Sequence, residues 1–238
     1  MRARAQAAAL FAAAAVLHSA PALTWFFPVT KHVAPSLLGV RPEGEVAITF
    51  DDGPDPVSTP LVLDLLAHHR VKATFFMLGD MAKRHPGVAR MVAEEGHQVG
   101  LHGLYHRNAL FRSYPTIGYD LKRGKELLED TSGQRVHLMR PPYGVLSTAV
   151  LMHARRLDLK PLLWTSWGRD WRAVATKESI VSDVMRHGID GATVLLHDSD
   201  CTSAPGSTHA MLQALAELLE TIQERGLQTV MAGSGTSA

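Results

Sequence analysis

The stretch Ala47–Pro56, AITFDDGPDP, ends an apolar run with two adjacent carboxylates. Successive side chains of a strand point to opposite faces of the sheet, so Asp51 and Asp52 cannot be buried in the same way. Because Asp, Gly and Pro also cluster where strands stop, a simple turn would explain this composition. The second hypothesis is that one carboxylate holds a metal ion while the other transfers protons. The pattern of the remaining chain separates these two explanations.

Apolar runs typical of buried strands recur beyond this stretch. We predict strands over 46–50, 73–78, 98–102, 137–141, 161–166, 193–197 and 228–232. Segments with helical apolar spacing lie between them, and three of these segments end on a glycine, as helices commonly do. The helical segments with the clearest pattern are 59–70, 119–133, 176–188 and 211–226. This alternation predicts an α/β fold with parallel strands, either a (β/α)7 barrel or a doubly wound open sheet.

Composition and charge describe an ordinary globular chain of 238 residues, with 46% hydrophobic and 20% charged side chains. The 24 basic and 23 acidic side chains leave a formal charge of +1, so the chain lacks the excess of positive charge that is typical of nucleic-acid-binding proteins. Cys201 is the single cysteine, so neither an intrachain disulfide nor a cysteine-only metal site can form.

The N-terminal segment combines a basic start with a long apolar stretch. Residues 7–17 are apolar throughout, and no charged side chain occurs between Arg4 and Lys31. Roughly 20 apolar residues suffice to cross a bilayer core of ~30 Å. We therefore expect residues 1–29 to be a signal-like or membrane-anchor segment, with membrane association through residues 5–29. The protein would be secreted or anchored at the cell envelope; a helix packed on a cytoplasmic domain is the alternative.

Polar residues suited to chemistry follow five of the seven predicted strands. They are Asp51 and Asp52, His102 and His106, Arg140 and Tyr143, Asp170 and Trp171, and His197. The carboxyl ends of parallel barrel strands meet at one edge, where active sites form. A H-x-x-x-H pair alone is weak in a chain with 13 histidines. Two imidazoles and a carboxylate are nevertheless a normal ligand set for Zn²⁺, so their joint placement indicates a site.

The motifs TFDDG, H-x-x-x-H, RPPYG, DW and L-x-H occur here in a specific order. In that order they resemble the motif set of the NodB-homology polysaccharide deacetylases, carbohydrate esterase family 4. The resemblance covers Val46 to about Val230 and implies a distorted (β/α)7 barrel within a catalytic domain of residues 30–238. It also implies removal of N-acetyl groups from a glycan containing N-acetylglucosamine, either peptidoglycan or a chitin-like polymer. The implied cofactor is a divalent metal, with Zn²⁺ expected and Co²⁺ or Ni²⁺ as alternatives.

The resemblance assigns roles to the polar residues by position. The implied metal ligands are Asp52, His102 and His106. Asp51 would be the general base that deprotonates the attacking water, and Arg140 would pair with it. His197 would be the general acid that protonates the leaving amine, and Asp170 would keep that imidazole charged. Amide hydrolysis needs both proton transfers, because water is a weak nucleophile and an amine is a poor leaving group.

Three further residues are implied to bind substrate. The backbone N–H of Tyr143 would stabilise the oxyanion, while Trp171 and Leu195 would line the slot for the acetyl methyl group. The chain departs from the family pattern at Gly103, where Ser or Thr is usual, which predicts a less firmly held loop. It also departs at Trp167, which fits a sugar-binding wall and barrel packing equally well.

Other functions stay open at this point. A non-catalytic carbohydrate-binding relative would be expected to lack a base, an acid or a ligand, and none is missing. The same fold could instead deacylate a small N-acyl compound or a lipid-linked sugar. A Cys201–His197 pair would make a cysteine hydrolase, but it would leave the paired aspartates unexplained. No G-x-S-x-G motif for a serine hydrolase is present, and the oligomeric state is left undetermined.

Overall fold

A parallel sheet forms the centre of the protein, as seen in a computed structural model that describes residues 2–25, 30–32 and 34–234. Its strands are β1 Glu45–Asp51, β2 Thr74–Met77, β3 Gln98–Leu101, β4 Leu138–Met139, β5 Lys160–Pro161, β6 Ser166–Trp167, β7 Ala192–His197 and β8 Gln228–Thr229. Neighbouring strands follow the order β5-β4-β3-β2-β1-β7-β6, and β8 pairs with β1. The longest strands, β1 and β7, lie side by side at the centre of this order.

Helices connect the strands and cover the outside of the sheet. The helices are α1 Arg2–Ser19, α2 Pro35–Leu38, α3 Ser58–His68, α4 Gly79–Arg84, α5 Pro86–Glu94, α6 Tyr114–Ser132, α7 Thr148–Arg156, α8 Lys177–His187 and α9 Ser207–Glu224. Short 3₁₀ helices cover Ala20–Trp25, Ala109–Phe111 and Pro142–Gly144. The main core joins strand residues such as Phe50 and Phe75 to helix residues such as Leu63 and Leu219. This packing confirms the predicted strand–helix alternation.

The alternation of side chains along β1 explains how its end reaches the interior. Ile48 and Phe50 belong to the core shared with the helices. Thr49 and Asp51 point to the opposite face, where both receive hydrogen bonds from Arg140. Asp52 then leaves the strand with φ of 77°, a left-handed conformation that Asp tolerates better than most residues. Asp51 is therefore buried because its strand side chain points inward, whereas Asp52 is buried because the backbone turns after the strand ends.

Residues 160–167, here named the closing segment, join the two edges of the sheet. Its first part, β5, pairs with β4, and its last part, β6, pairs with β7. The predicted continuous strand over 161–166 is therefore wrong. The carbonyl groups of Leu162 and Leu163 accept hydrogen bonds from the buried Arg140 and are not used in a ladder. Because one segment reaches both edges, the sheet is a distorted barrel rather than an open doubly wound sheet.

Two other predicted strands are shorter than expected. Only Leu138–Met139 of the predicted strand 137–141 is in the ladder, and only Gln228–Thr229 of 228–232. β8 pairs with Glu45 and Val46, ahead of the point where β2 joins β1. It closes the amino-terminal end of the barrel, opposite the edge that carries the polar residues.

The N-terminal helix α1 is exposed. Within it and the 3₁₀ turn that follows, residues 6–24 have a mean hydropathy of 1.6, and none of this span is buried. By length and composition the span could cross a membrane, although a signal sequence satisfies the same criterion. The hydroxyl of Thr148 donates to the carbonyl of Leu17 at 2.5 Å. The predicted boundary at residue 29 lies outside the described residues.

Candidate active site

A cavity of about 240 Å³ opens at the carboxyl edge of the barrel. Most of the predicted site residues line it, namely Asp51, His102, His106, Tyr143, Trp171, Leu195 and His197. The other three predicted residues, Asp52, Arg140 and Asp170, are buried and contact these lining residues. The fold thus brings all the predicted residues together, although they come from distant parts of the chain.

Asp52, His102 and His106 form a group that could hold a metal ion. One ligand atom from each lies within 4.8 Å of the others. Asp52 Oδ1 is 3.4 Å from Nε2 of His102 and 3.7 Å from Nε2 of His106. This oxygen is buried and has no hydrogen-bond partner among the described residues. A buried carboxylate oxygen without a donor is costly, and a divalent cation at this point would satisfy it.

The two histidines present neutral nitrogens to this position. His102 Nδ1 is 2.8 Å from the backbone oxygen of Arg140, so Nδ1 carries the proton and Nε2 keeps its lone pair. Burial lowers the pKa of His102 to about 3, against the opposing charge of Asp52. Burial also lowers the pKa of His106. Both imidazoles are therefore neutral, which is the charge state that metal coordination requires.

Asp51 and Arg140 form a buried ion pair beside this group. Arg140 Nη1 lies 2.7 Å from Asp51 Oδ1 and 2.8 Å from the hydroxyl of Thr49. The other guanidinium nitrogens donate to the carbonyls of Leu162 and Leu163, at 3.2 and 2.8 Å. Burial raises the pKa of Asp51, while the charge of Arg140 opposes that rise. A carboxylate of raised pKa is a better proton acceptor than an ordinary aspartate.

His197 and Asp170 form a second charged pair, and His197 lies at the end of β7, next to Asp51 at the end of β1. His197 Nδ1 is 3.0 Å from Asp170 Oδ1, and the backbone N–H of His197 donates to Asp170 Oδ2 at 2.7 Å. Burial alone would lower the pKa of His197. The charge and hydrogen bond of Asp170, together with the charges of Asp52 and Asp51, outweigh burial and raise that pKa to about 10. The imidazole therefore carries a proton that it could donate into the cavity from Nε2.

Aromatic and apolar side chains complete the cavity. Tyr143 has φ of 60°, and its ring centroid is 4.4 Å from that of His106. The ring of Trp171 stands edge-on to that of His197 at 5.4 Å, and Leu195 is buried in the wall. The lining residues that we did not predict are Gly144, Trp164, Thr202 and Ser203. Trp164 was missed because it lies in the closing segment, where we predicted a regular strand.

Other residues considered from the sequence lie outside the cavity or lack the expected contact. Trp167 stacks on His187 with centroids 3.8 Å apart and packs against a small apolar cluster, which supports the packing interpretation. The Cys201 thiol donates to the backbone oxygen of Asp52 at 3.6 Å, and burial raises its pKa to about 11. A cysteine nucleophile needs a thiolate, so the Cys201–His197 mechanism has no support here.

Comparison with known proteins identifies the family. The polysaccharide deacetylase family matches residues 39–162, a range that contains Asp51, Asp52, both ligand histidines and Arg140. The chain belongs to this family of metal-dependent deacetylases, and the predicted resemblance is confirmed. The matched range ends before Asp170 and His197, so the placement of these two residues at the site rests on the geometry described above.

Individual relatives give the same result. A peptidoglycan-N-acetylglucosamine deacetylase of Bacillus cereus is 37% identical over 187 residues, which cover 78% of this chain and 84% of the relative. A chitooligosaccharide deacetylase of Azorhizobium caulinodans is 32% identical over 191 residues, with 77% and 90% covered. The crystal structure of the Bc1960 peptidoglycan N-acetylglucosamine deacetylase superimposes with a TM-score of 0.74 at 29% identity, covering 80% of this chain and 86% of that one. The similarity to a deacetylase barrel confirms the predicted fold class.

Proposed function

We propose that this protein is a metal-dependent hydrolase that removes N-acetyl groups from a glycan containing N-acetylglucosamine. One observation carries the proposal: an unpartnered Asp52 oxygen and two neutral imidazoles adjoin the cavity that is also lined by Asp51 and His197, which end the paired strands β1 and β7. The first group suits a metal ion, and the other two suit proton transfer. Both are needed to hydrolyse an amide near neutral pH.

The ligands proposed for the ion are Asp52, His102 and His106. Two nitrogens and one oxygen favour Zn²⁺, and the same set accepts Co²⁺ or Ni²⁺. The buried Asp52 Oδ1 and the unprotonated ligand nitrogens both fit such an ion. A bound divalent cation supplies Lewis-acid chemistry, activating water and polarising the amide carbonyl.

The remaining residues are proposed to move protons and bind substrate. Asp51 accepts a proton from the attacking water, and Arg140 holds the carboxylate in place through its 2.7 Å contact. His197 donates its proton to the departing nitrogen, and Asp170 sets the ring orientation through Nδ1. The backbone N–H of Tyr143 would stabilise negative charge on the carbonyl oxygen. One such donor is worth about 3–4 kcal/mol in other hydrolases.

The substrate class follows from the relatives and from the cavity wall. The relatives are deacetylases of peptidoglycan and of chitooligosaccharide, so both glycans are candidates. Trp171 and Leu195 would enclose the acetyl methyl group, which is small and apolar. Aromatic side chains such as Tyr143 and Trp171 can also stack on the apolar face of a sugar ring.

We also propose that residues 1–29 direct the protein to the cell envelope and that residues 30–238 form the catalytic domain. The exposed apolar span at 6–24 supports this division. N-terminal sequencing of the native protein after cell fractionation tests it. An intact N-terminus in the soluble cytoplasmic fraction would contradict the envelope assignment.

The first experiment is acetate release from N-acetylglucosamine oligomers and from purified peptidoglycan. The chain is stripped with a chelator and reloaded with Zn²⁺ or Co²⁺ before assay. We expect release that requires metal, on one or both glycans. The glycan that is turned over would define the substrate.

The control is a chelated sample that is never reloaded, assayed at the same protein concentration. If the chain binds metal stoichiometrically but releases no acetate from either glycan, the deacetylase proposal fails for these substrates. A small N-acyl amine or a lipid-linked sugar would be assayed next, together with glycan binding by calorimetry.

A further inference from the structure

The two carboxylate oxygens of Asp52 have different surroundings. Oδ1 faces the Nε2 atoms of His102 and His106 and has no hydrogen-bond partner among the described residues. Oδ2 accepts a hydrogen bond from the hydroxyl of Thr202. We propose that Thr202 is a positioning residue, which fixes the rotation of the Asp52 carboxylate so that Oδ1 alone points to the metal position. This inference rests on the metal site of the proposed function.

A carboxylate needs such a contact because its terminal torsion is broad and roughly two-fold. Without a donor on one oxygen, Asp52 could turn and offer either oxygen, or both, to an ion. A hydroxyl that donates to an ionised oxygen forms a charge-assisted hydrogen bond, which is stronger than a neutral one. Partners of this kind on ligating carboxylates set the ligand orientation and the metal affinity.

The loop that carries Thr202 is held on both sides. The hydroxyl of Ser58 donates to the carbonyl of Asp198 at 2.6 Å. The N–H of Ala204 donates to the carbonyl of Trp171 at 3.0 Å. The N–H of Gly206 donates to Asp200 Oδ2 at 2.7 Å. These contacts hold the backbone on both sides of Thr202, and from this loop the Thr202 hydroxyl reaches Asp52.

The neighbouring Cys201 does not duplicate this role. Its thiol reaches the backbone oxygen of Asp52, not the carboxylate, and a thiol is a weak donor. Thr202 is itself exposed, so replacing its side chain leaves the hydrophobic core intact. The effect of the hydroxyl on metal binding can therefore be isolated.

The test measures Zn²⁺ dissociation constants on the full, chelator-stripped chain by competition with a chromophoric chelator. Thr202→Val and Thr202→Ala remove the hydroxyl with and without retention of volume, and we expect both to weaken Zn²⁺ binding about 10–100-fold. Thr202→Ser keeps the hydroxyl and is expected to bind as the wild type does. Thr221→Val is the matched control, because that hydroxyl donates within α9 to the carbonyl of Glu217 at 2.9 Å.

A second measurement uses the ligand-field absorption of Co²⁺ loaded into the same variants. A freed carboxylate should change the coordination, so Thr202→Val should shift the bands while Thr202→Ser and Thr221→Val should not. Equal Zn²⁺ affinity in wild type, Thr202→Val and Thr202→Ala would overturn the inference. Weakening by Thr202→Val alone would also overturn it, since that result would be steric. Failure of the wild-type chain to bind Zn²⁺ would overturn the metal site itself, and with it the role of Thr202.

Discussion

His102 and His197 lie on the wall of the same cavity, yet their surroundings move their pKa values in opposite directions. Burial lowers the pKa of His102 to about 3, whereas Asp170 outweighs burial at His197 and raises that pKa to about 10. The two rings differ in the hydrogen-bond partner of Nδ1, although a carboxylate oxygen of Asp51 also lies 3.7 Å from Nδ1 of His102. His102 faces the neutral carbonyl of Arg140, and His197 faces the carboxylate of Asp170. The same residue type is thereby prepared for coordination in one place and for proton donation in the other.

The two histidines belong to two groups of residues with different proposed roles. The first group holds the proposed metal ligands Asp52, His102 and His106, with the proposed base Asp51 and its partner Arg140 next to them. The second group holds Asp170 and the proposed acid His197. The contrast teaches that burial sets the charge state only where no ionic partner overrides it. Substitutions in each group test this difference, and the largest effect is expected for Asp51.

Asp51→Asn should remove the proton acceptor while leaving the ligand set in place. We expect kcat for acetate release to fall about 10²–10⁴-fold, the range typical of a lost general base. Zn²⁺ should still bind at one equivalent, measured by metal analysis after gel filtration. Asp64→Asn, at an exposed position of α3, is the control and should keep full activity. Retained activity in Asp51→Asn would refute the base assignment.

Arg140→Met should destabilise the whole protein, because it leaves Asp51 buried without its cation. Breaking a buried pair on one side typically lowers the free energy of unfolding by about 3–5 kcal/mol. Urea unfolding followed by circular dichroism measures the change. Arg90→Met removes an exposed arginine on α5 and should have little effect. Equal stability of the two variants would show that the Asp51–Arg140 pair contributes nothing.

Asp170→Asn should reduce the difference between the pKa values of His102 and His197. Without the carboxylate, burial acts on His197 as it does on His102, and the pKa of His197 falls. The alkaline limb of the kcat/KM profile should therefore move about 1–3 units toward lower pH. An unmoved limb would mean that another group is the acid. The profile is best measured with a soluble oligosaccharide over pH 5–10.

The same variant has a consequence for stability that does not depend on turnover. A folded-state pKa of about 10, above the ordinary 6.5, means that His197 stabilises the fold fully below pH 6.5. That contribution is lost as pH rises from 6.5 through about 10. The unfolding free energy of the metal-free wild type should fall across this window, and Asp170→Asn should show a weaker fall. Parallel curves for the two proteins would contradict the assignment of the raised pKa to Asp170.

Trp171→Ala is expected to have the smallest effect of the series. The ring contacts His197 only edge-on, and such aromatic contacts are worth about 0.5–1.5 kcal/mol. We expect kcat/KM to fall roughly 2–12-fold, which is this energy converted at room temperature. Val174→Ala, an exposed position in the same loop region, serves as the control. A loss as large as that of Asp51→Asn would place Trp171 in the chemistry itself.

Sequence patterns predicted the structure correctly where it depends on neighbouring residues in the chain or on the order of the motifs. Strand alternation predicts that Asp51 and Asp52 cannot be buried in the same way, and the motif order predicts which polar residues meet. Sequence patterns did not predict the structure where it depends on contacts between segments that are far apart in the chain. The closing segment is broken because it pairs with β4 at one end and with β7 at the other, and its carbonyls between these ends accept hydrogen bonds from Arg140. Thr202 was missed for the same reason, since no short-range pattern predicts where the loop after β7 returns.

The looser loop expected at Gly103 stays a prediction, but the structure gives a physical reason for the glycine. Gly103 has φ of 99°, a conformation that residues with a side chain rarely adopt. A Cβ there would lie 3.3 Å from the carbonyl oxygen of Tyr105. The glycine therefore suits this backbone, and a serine or threonine would be strained at the same place.

The closing segment carries the carbonyls that accept hydrogen bonds from the guanidinium of Arg140, and Arg140 in turn holds the proposed base Asp51. We therefore expect closure of the barrel and completion of the proposed site to occur together when the chain folds. A folding intermediate that has most of its helices, but whose closing segment is not yet paired with β4 and β7, should be inactive toward substrate. On gentle heating, amide protons near Leu162 and Leu163 should lose protection together with activity, ahead of the helical signal.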